Sequence, residues 1–287
     1  MNNLHFDKAG LKYILYLILS FAAVFIAFSF GPVIGCVTIL LGFAVLAFLM
    51  RGDILAIVAR YTYNKDHGKG FLWYERALKT DKMKPVHVLI YAYLLIRDGV
   101  LDKSEQLITK TLFIDREKLT DDLVSGAHIN LSIIKWKRGN LTEAIEEIEQ
   151  VYESGFRSTV MYGTLGCYYI LNGQYTKGLE FSKEAFEFNS SDAIIRDNLA
   201  YNYYLCGNIR TAADMYDELV SENPAFIEPY YNYGLVLEEK GEYEEAMIHY
   251  KKALEMPVKF LSTVTHDDVK TAIARLSGKL EAEKGGF

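Results

Sequence analysis

From residue 13 to residue 50 the chain is apolar with no charged side chain; beyond residue 51 apolar and charged positions alternate with helical spacing. The uncharged stretch of 38 residues reads as two segments of 18, residues 13–30 (YILYLILSFAAVFIAFSF) and 33–50 (VIGCVTILLGFAVLAFLM), on either side of Gly31-Pro32. As a helix each is about 27 Å long, against a hydrocarbon core of about 30 Å. Each holds eleven Leu, Ile, Val or Phe, worth on the order of −3 to −6 kcal/mol on insertion with no charge opposing it. Proline cannot continue a helical ladder and restricts the residue before it, so Pro32 divides the stretch. The pattern predicts a transmembrane helical hairpin with a very short turn. A cleaved signal peptide fits less well, because the apolar run outlasts an ordinary h-region and AFSFGP lacks a small-residue cleavage site. A buried hairpin of a soluble core also fits less well, since neither segment has a polar face. Gly31 and Gly35 have the spacing of a close-approach pair, but beside Pro32 they read as turn glycines.

Lys8 and Lys12 precede the hairpin, and Arg51, Arg60, Lys65 and Lys69 follow it. The positive-inside rule then places both flanks in the cytoplasm: residues 1–12 as a short cytoplasmic segment and the remainder as a cytoplasmic body.

That body repeats every 34 residues. Gly139, Gly173, Gly207 and Gly241 share one column; Ala144, Gly178, Ala212 and Ala246 another; Leu131, Leu165, Leu199 and Tyr233 a third, followed by Ser132, Gly166, Ala200 and Gly234. Ile148, Ser182, Tyr216 and Tyr250, then Val151, Ala185, Leu219 and Ala253, extend the register. Each block predicts a helix, a turn at the glycine column where a left-handed residue costs least, and a second helix. A single such hairpin cannot cover its apolar face; stacked neighbours can.

These columns resemble the tetratricopeptide repeat family and its W-x2-L-G-x2-Y…A-x3-F…P pattern. In the best-formed block the pattern stands as Tyr230, Tyr233-Gly234, Leu237, Ala246, Tyr250 and Ala253, with Pro257 one position early. The resemblance implies an all-α solenoid, a right-handed superhelix of helical hairpins, after the two membrane helices. Four units are expected at 125–158, 159–192, 193–226 and 227–260. Two degenerate units are expected at 51–124, the first, ILAIVARYTY, either lying against the bilayer surface or, as fits the repeat register better, packed inside the solenoid, and a capping helix and tail at 261–287. In the cap Val269, Ile273, Leu276 and Leu280 would face the last unit.

The resemblance also implies that first helices line a concave groove. The positions it places there are Ile129, Ile133 and Trp136; Val160, Cys167 and Ile170; Asp197, Tyr201 and Tyr204; and Tyr231, Leu235 and Glu238. Such a groove is apolar and aromatic, with acid toward its C-terminal end. It suits a protein or peptide partner, since Tyr and Trp bury much area at low entropic cost. It lacks the Lys and Asn of the family's carboxylate-clamp version.

Composition narrows the function further. Beyond residue 50 the chain carries 29 Lys/Arg against 36 Asp/Glu, which argues against nucleic-acid binding driven by phosphate neutralisation. Cys36, Cys167 and Cys206 are scattered and odd in number, giving no disulfide framework or metal knuckle; Cys167 and Cys206 are expected to line the core. The six histidines lack metal-ligand spacing. DHGKG (66–70) is not a phosphate loop, having neither the spacing nor the hydroxyl residue. Three Asn-x-Ser/Thr triplets, at Asn130, Asn140 and Asn189, would go unmodified in the cytoplasm. The expectation is therefore a membrane-anchored scaffold that binds a protein or peptide, with no enzyme activity, cofactor or metal. A self-associating, homo-oligomeric organising protein is the alternative.

Overall fold

The computed structural model describes residues 8–285, so residues 1–7 of the expected N-terminal segment and the last two of the tail lie outside it. Two units emerge, 1–88 and 89–287. The described residues contain fifteen α-helices and no strand.

The first unit opens with α1 (Lys8–Ser29) and α2 (Pro32–Leu49). Gly31 turns the chain between them at φ 133°. Gly35 serves a different purpose: a Cβ there would stand 2.4 Å from the Phe28 ring, so glycine lets the two helices touch. The pair thus divides the roles that the sequence reading assigned to the turn alone. Among the described residues α2 is the one helix long and apolar enough to cross a membrane, with mean hydropathy 2.5. The described apolar run of α1 is the shorter Ile18–Ser29.

Next come α3 (Arg51–Tyr63) and α4 (His67–Leu78), which pack as a hairpin through Ala56, Ala59, Tyr74 and Ala77. A Cβ on Gly70 would lie 2.6 Å from the Tyr63 Cα, so the helices meet backbone to backbone. Asp66 caps α4, its carboxylate accepting from Lys69 N at 2.9 Å. This cap accounts for the DHGKG stretch. Contrary to a fully packed first repeat, α3 leaves Ile54, Ile57, Val58 and Tyr61 exposed. Apart from Asp53 and Tyr63, its buried face is made of the small residues Gly52, Ala56 and Ala59, and its large aliphatic side chains point away.

The second unit is a run of hairpins: α5 (Pro85–Arg97) with α6 (Leu101–Ile114), α7 (Asp121–Lys137) with α8 (Leu141–Glu153), α9 (Thr159–Leu171) with α10 (Tyr175–Phe188), α11 (Ala193–Leu205) with α12 (Ile209–Ser221), and α13 (Glu228–Lys240) with α14 (Tyr243–Glu255). A short 3-10 turn, Arg116–Lys118, takes up the extra residues before α7. Thr120, Ser158 and Asp192 cap α7, α9 and α11 by accepting from backbone N–H groups of the first turn, as short oxygen side chains do at helix starts. The column Gly99, Gly139, Gly173, Gly207, Gly241 has φ between 71° and 88°, the left-handed region the repeat requires.

The interior holds two apolar clusters. One runs from Leu89 to Ile195, the other from Ala200 to Leu276. Between them sits a polar layer invisible in the hydrophobic pattern. Asn198 donates to Gly163 O at 2.9 Å, and Asn202 donates to Ser182 Oγ at 3.1 Å and Asn198 O at 3.0 Å. The amide nitrogens of this layer are hydrogen-bonded, as buried donors must be, while Asn202 Oδ1 is buried without a partner.

The C-terminal helix α15 (His266–Gly285) buries Val269, Ala272 and Leu276 against the last hairpin, with Ile273 and Leu280 partly covered. It does more than cap. Glu238, 8% exposed, is gripped from α15 by Arg275 (Nε to Oε1 3.0 Å, a second guanidinium nitrogen to Oε2 2.7 Å) and Lys279 (2.9 Å).

Candidate functional site

The first helices of successive hairpins, α5 to α13, share one face, and two cavities open on it. The first, about 250 Å³, is lined by Tyr93, Ile133, Trp136, Val160, Thr164, Cys167, Tyr168 and Ile194 among others, with Leu261 as one wall. The second, about 380 Å³, is lined by Cys167, Ile170, Tyr175, Asp197, Asn198, Tyr201, Tyr231 and Asn232, closed on one side by Thr263, Val264 and Asp268. Cys167 belongs to both, so the two are neighbours along one groove.

The sequence-derived groove residues divide into three groups. Ile133, Trp136, Val160, Cys167, Ile170, Asp197, Tyr201 and Tyr231 line the cavities. Ile129 does not; it is 2% exposed and belongs to the apolar core, because one helical step turns it inward. Glu238 and Leu235 also leave the groove. Leu235 packs in the C-terminal cluster, and Glu238 is enclosed by α15 and by Tyr250, whose hydroxyl donates to Oε2 at 3.0 Å. The acidic end expected of the groove is thus neutralised by the chain's own cations. Tyr204 stands beside the second cavity, stacked on Tyr201 with centroids 5.7 Å apart.

Asn198 and Asn232 were missed. They lie 34 residues apart in a column shared with Thr164, so the repeat register itself carried the signal. Asparagines do line this groove, but they donate inward: Asn198 to Gly163 O, Asn232 to Asp197 Oδ1 at 3.1 Å. Of the two thiols expected in the core, Cys206 is exposed; it sits at the C-cap of α11, past the last inward-facing turn.

Asp197 is the most unusual group on the surface of the cavity. It is 6% exposed, and Oδ1 accepts from both Tyr216 Oη at 3.0 Å and Asn232 Nδ2 at 3.1 Å. Burial pushes its carboxyl up to about 7, against the opposing pull of those two donors. Burial likewise lifts the Cys167 thiol to about 12, so it stands as a neutral wall residue and not a nucleophile. The Tyr201 and Tyr231 phenols are held protonated, mainly by burial. Among the described residues no group of His, Cys, Asp and Glu could hold a metal ion. The site therefore presents aromatic faces, phenol hydroxyls and one carboxyl whose charge responds near neutral pH.

One further element enters the groove. The ten residues joining α14 to α15 do not run straight to the cap. At Lys259–Ser262 they form a turn (Ser262 N to Lys259 O, 3.0 Å). The Phe260 ring lies against Gly99, where a Cβ would come within 3.2 Å. Leu261 packs on the N-terminal apolar cluster. Lys137 Nζ is 5.3 Å from the Phe260 ring centroid and 3.5 Å from Ser262 O, and Thr263 N donates to Glu228 at 2.8 Å. The cap expected from residue 261 thus begins at His266, and the segment before it is a strap across the groove.

Comparison with known proteins agrees with this architecture. Residues 227–257 match the tetratricopeptide repeat family model. A tetratricopeptide repeat protein from Parabacteroides merdae ATCC 43184 superposes with a TM-score of 0.60 at 15% identity, covering 79% of this chain and 85% of that one. TTC0263, a thermophilic repeat protein of Thermus thermophilus, gives 0.52 at 18%, covering 67% and 98%. At such identities the likeness shows the fold alone: an all-α solenoid of the tetratricopeptide repeat type. No curated protein sequence matches the chain.

Proposed function

We propose that the protein is a membrane-tethered scaffold whose solenoid binds a protein or peptide segment in the groove of its first helices, and that it is not an enzyme. The observation that carries this reading is the second cavity: about 380 Å³ walled by Tyr175, Tyr201 and Tyr231, with Tyr201 and Tyr231 backed by the C-terminal apolar cluster and still partly open to the cavity. Large, rigid side chains at the centre of a concavity are the usual anchors of recognition. The neutral thiol, and a cavity whose described lining holds no nucleophile–base pair, support a binding role over a catalytic one.

The tether rests on the first unit. From Tyr16 to Met50 large apolar side chains such as Phe21, Phe25, Leu40 and Phe43 are more than half exposed, a surface that water would penalise and lipid would not. The charge pattern of the flanks supports a solenoid on the cytoplasmic side.

The binding reading is tested with the double variant Tyr201→Ala/Tyr231→Ala in the full chain. Partners recovered with the wild-type protein from solubilised membranes should be lost, with the melting temperature lowered by no more than a few degrees, since both rings are part-exposed. Recovery of the same partners by the variant sinks the groove reading. Self-association is favoured instead if the only protein recovered is a second copy of this chain.

A further inference from the structure

We infer that residues 258–264 are an internal ligand of the groove, and that the partner engages this surface with a segment of the same chemistry: two adjacent apolar residues, the first aromatic, presented on a tight turn. The inference rests on the groove-binding reading and names its partner class.

The strap's course demands an explanation that connection alone does not give. Helix pairs in such a solenoid are joined by a few residues, and α15 docks on the hairpin directly before it. A short link would serve. Instead the chain leaves α14 and turns at Lys259–Ser262. There it sets Phe260 on Gly99, at the turn of the first hairpin of this unit. Leu261 fills one side of the apolar cavity that also contains Trp136, and Val264, 7% exposed, reaches the C-terminal core. Every contact is of the kind a bound peptide makes: apolar side chains in recesses, and backbone groups on side chains. Lys137 meets Ser262 O, and Glu228 meets Thr263 N.

Yet the strap is incompletely buried. Phe260 is 40% exposed, and its segment has no helix or sheet hydrogen bonds holding it. It forms one wall of each cavity, through Leu261 in the first and through Thr263 and Val264 in the second, which leaves the Tyr201–Tyr231 recess open to the incoming segment. A tethered ligand competes at millimolar effective concentration. A partner segment must therefore bind at the open recess and displace the turn, and the strap sets the threshold of affinity it must exceed.

The test uses a fluorescein-labelled peptide of residues 257–265 (PVKFLSTVT), followed by anisotropy with the full chain in detergent micelles. Phe260→Ser/Leu261→Ser unloads the strap and leaves Val264 in the core. The peptide should bind this variant at least tenfold more tightly than wild type, and a scrambled peptide should bind neither. Equal affinity for both proteins, or no binding to a variant with wild-type circular dichroism and melting, overturns the inference. So does a strap exchanged between two copies, seen as a variant-sensitive dimer by sedimentation. Should the variant fail to fold, hydrogen exchange on wild type decides: millimolar peptide should speed exchange at Leu261–Val264, and unchanged rates overturn the proposal. Loss of partners on Tyr201→Ala/Tyr231→Ala with no effect of strap variants would defeat this inference alone. Peptide binding with no partner in membranes would defeat only the functional reading.

Discussion

Truncating Tyr250 to alanine is expected to lower the unfolding free energy by about 3–5 kcal/mol, the cost of removing a large buried aromatic side chain. Tyr250 is 0% exposed. Its ring occupies the space that a Cβ on Gly234 would enter, at 2.4 Å, so the glycine column of α13 and the tyrosine column of α14 are two halves of one contact. The ring also supports Tyr231 at 5.8 Å, so the loss should loosen one wall of the larger cavity. Tyr250→Phe separates the parts: it keeps the ring and removes only the hydroxyl bond to Glu238, at about 1.5–3 kcal/mol for a hydrogen bond to a charged group. Denaturant titration of both variants measures the difference; an alanine variant no worse than phenylalanine would contradict the account.

Glu238→Ala should free α15. The carboxylate is 7% exposed at its side chain and takes hydrogen bonds from Arg275, Lys279 and Tyr250, while the two cations are each about half exposed. Stranding a buried charge costs about 3–5 kcal/mol, but these cations recover water, so a cost of about 2–3 kcal/mol is expected. Glu238 should also leave a pH signature. Burial alone would raise its carboxyl; the bonds from Arg275, Lys279 and Tyr250 outweigh burial and hold it down at about 2. A depressed folded value means the stabilisation is fully present above the ordinary 4.5 and is lost as pH falls toward 2. Wild type should therefore lose stability relative to Glu238→Gln between pH 4.5 and 2. Glu147, held near 2 first by His128 and also by Lys135, with burial opposing them, adds a parallel loss common to both proteins. Parallel curves for wild type and Glu238→Gln across that range would show that α15 docks without this carboxylate.

Much of the architecture was legible because it repeats. Four glycines at positive φ, Gly139, Gly173, Gly207 and Gly241, and the small residues Ala144, Gly178, Ala212 and Ala246 buried in the hairpins from α7 to α14, follow from steric requirements that recur each 34 residues. The groove was legible only in part. Helical register put Tyr201 and Tyr231 on the face that lines the second cavity but sent Ile129 to the surface, since register fixes an angle and not what the next hairpin covers. The fate of Glu238 lay in α15, some 37 residues further on, and no periodicity connects the two. Nor does any pattern in PVKFLSTVT, read locally, distinguish a strap from a plain linker; its meaning comes from Gly99 and Lys137, far away in sequence. The polar layer of Asn198 and Asn202 was hidden for the opposite reason: buried amides in a repeat look like surface positions until their partners are known.

The central claim is that the groove of a membrane-held solenoid receives another protein. The most direct test is photocrosslinking in sealed membranes from a benzophenone side chain placed at Tyr201, with the same group at Glu146, an exposed second-helix position, as the comparison. The account predicts a discrete adduct with a different protein from position 201, found in the membrane fraction, abolished by Tyr231→Ala and absent from position 146. Identical adducts from both positions, an adduct only with a second copy of this chain, or a protein that does not sediment with membranes would contradict it.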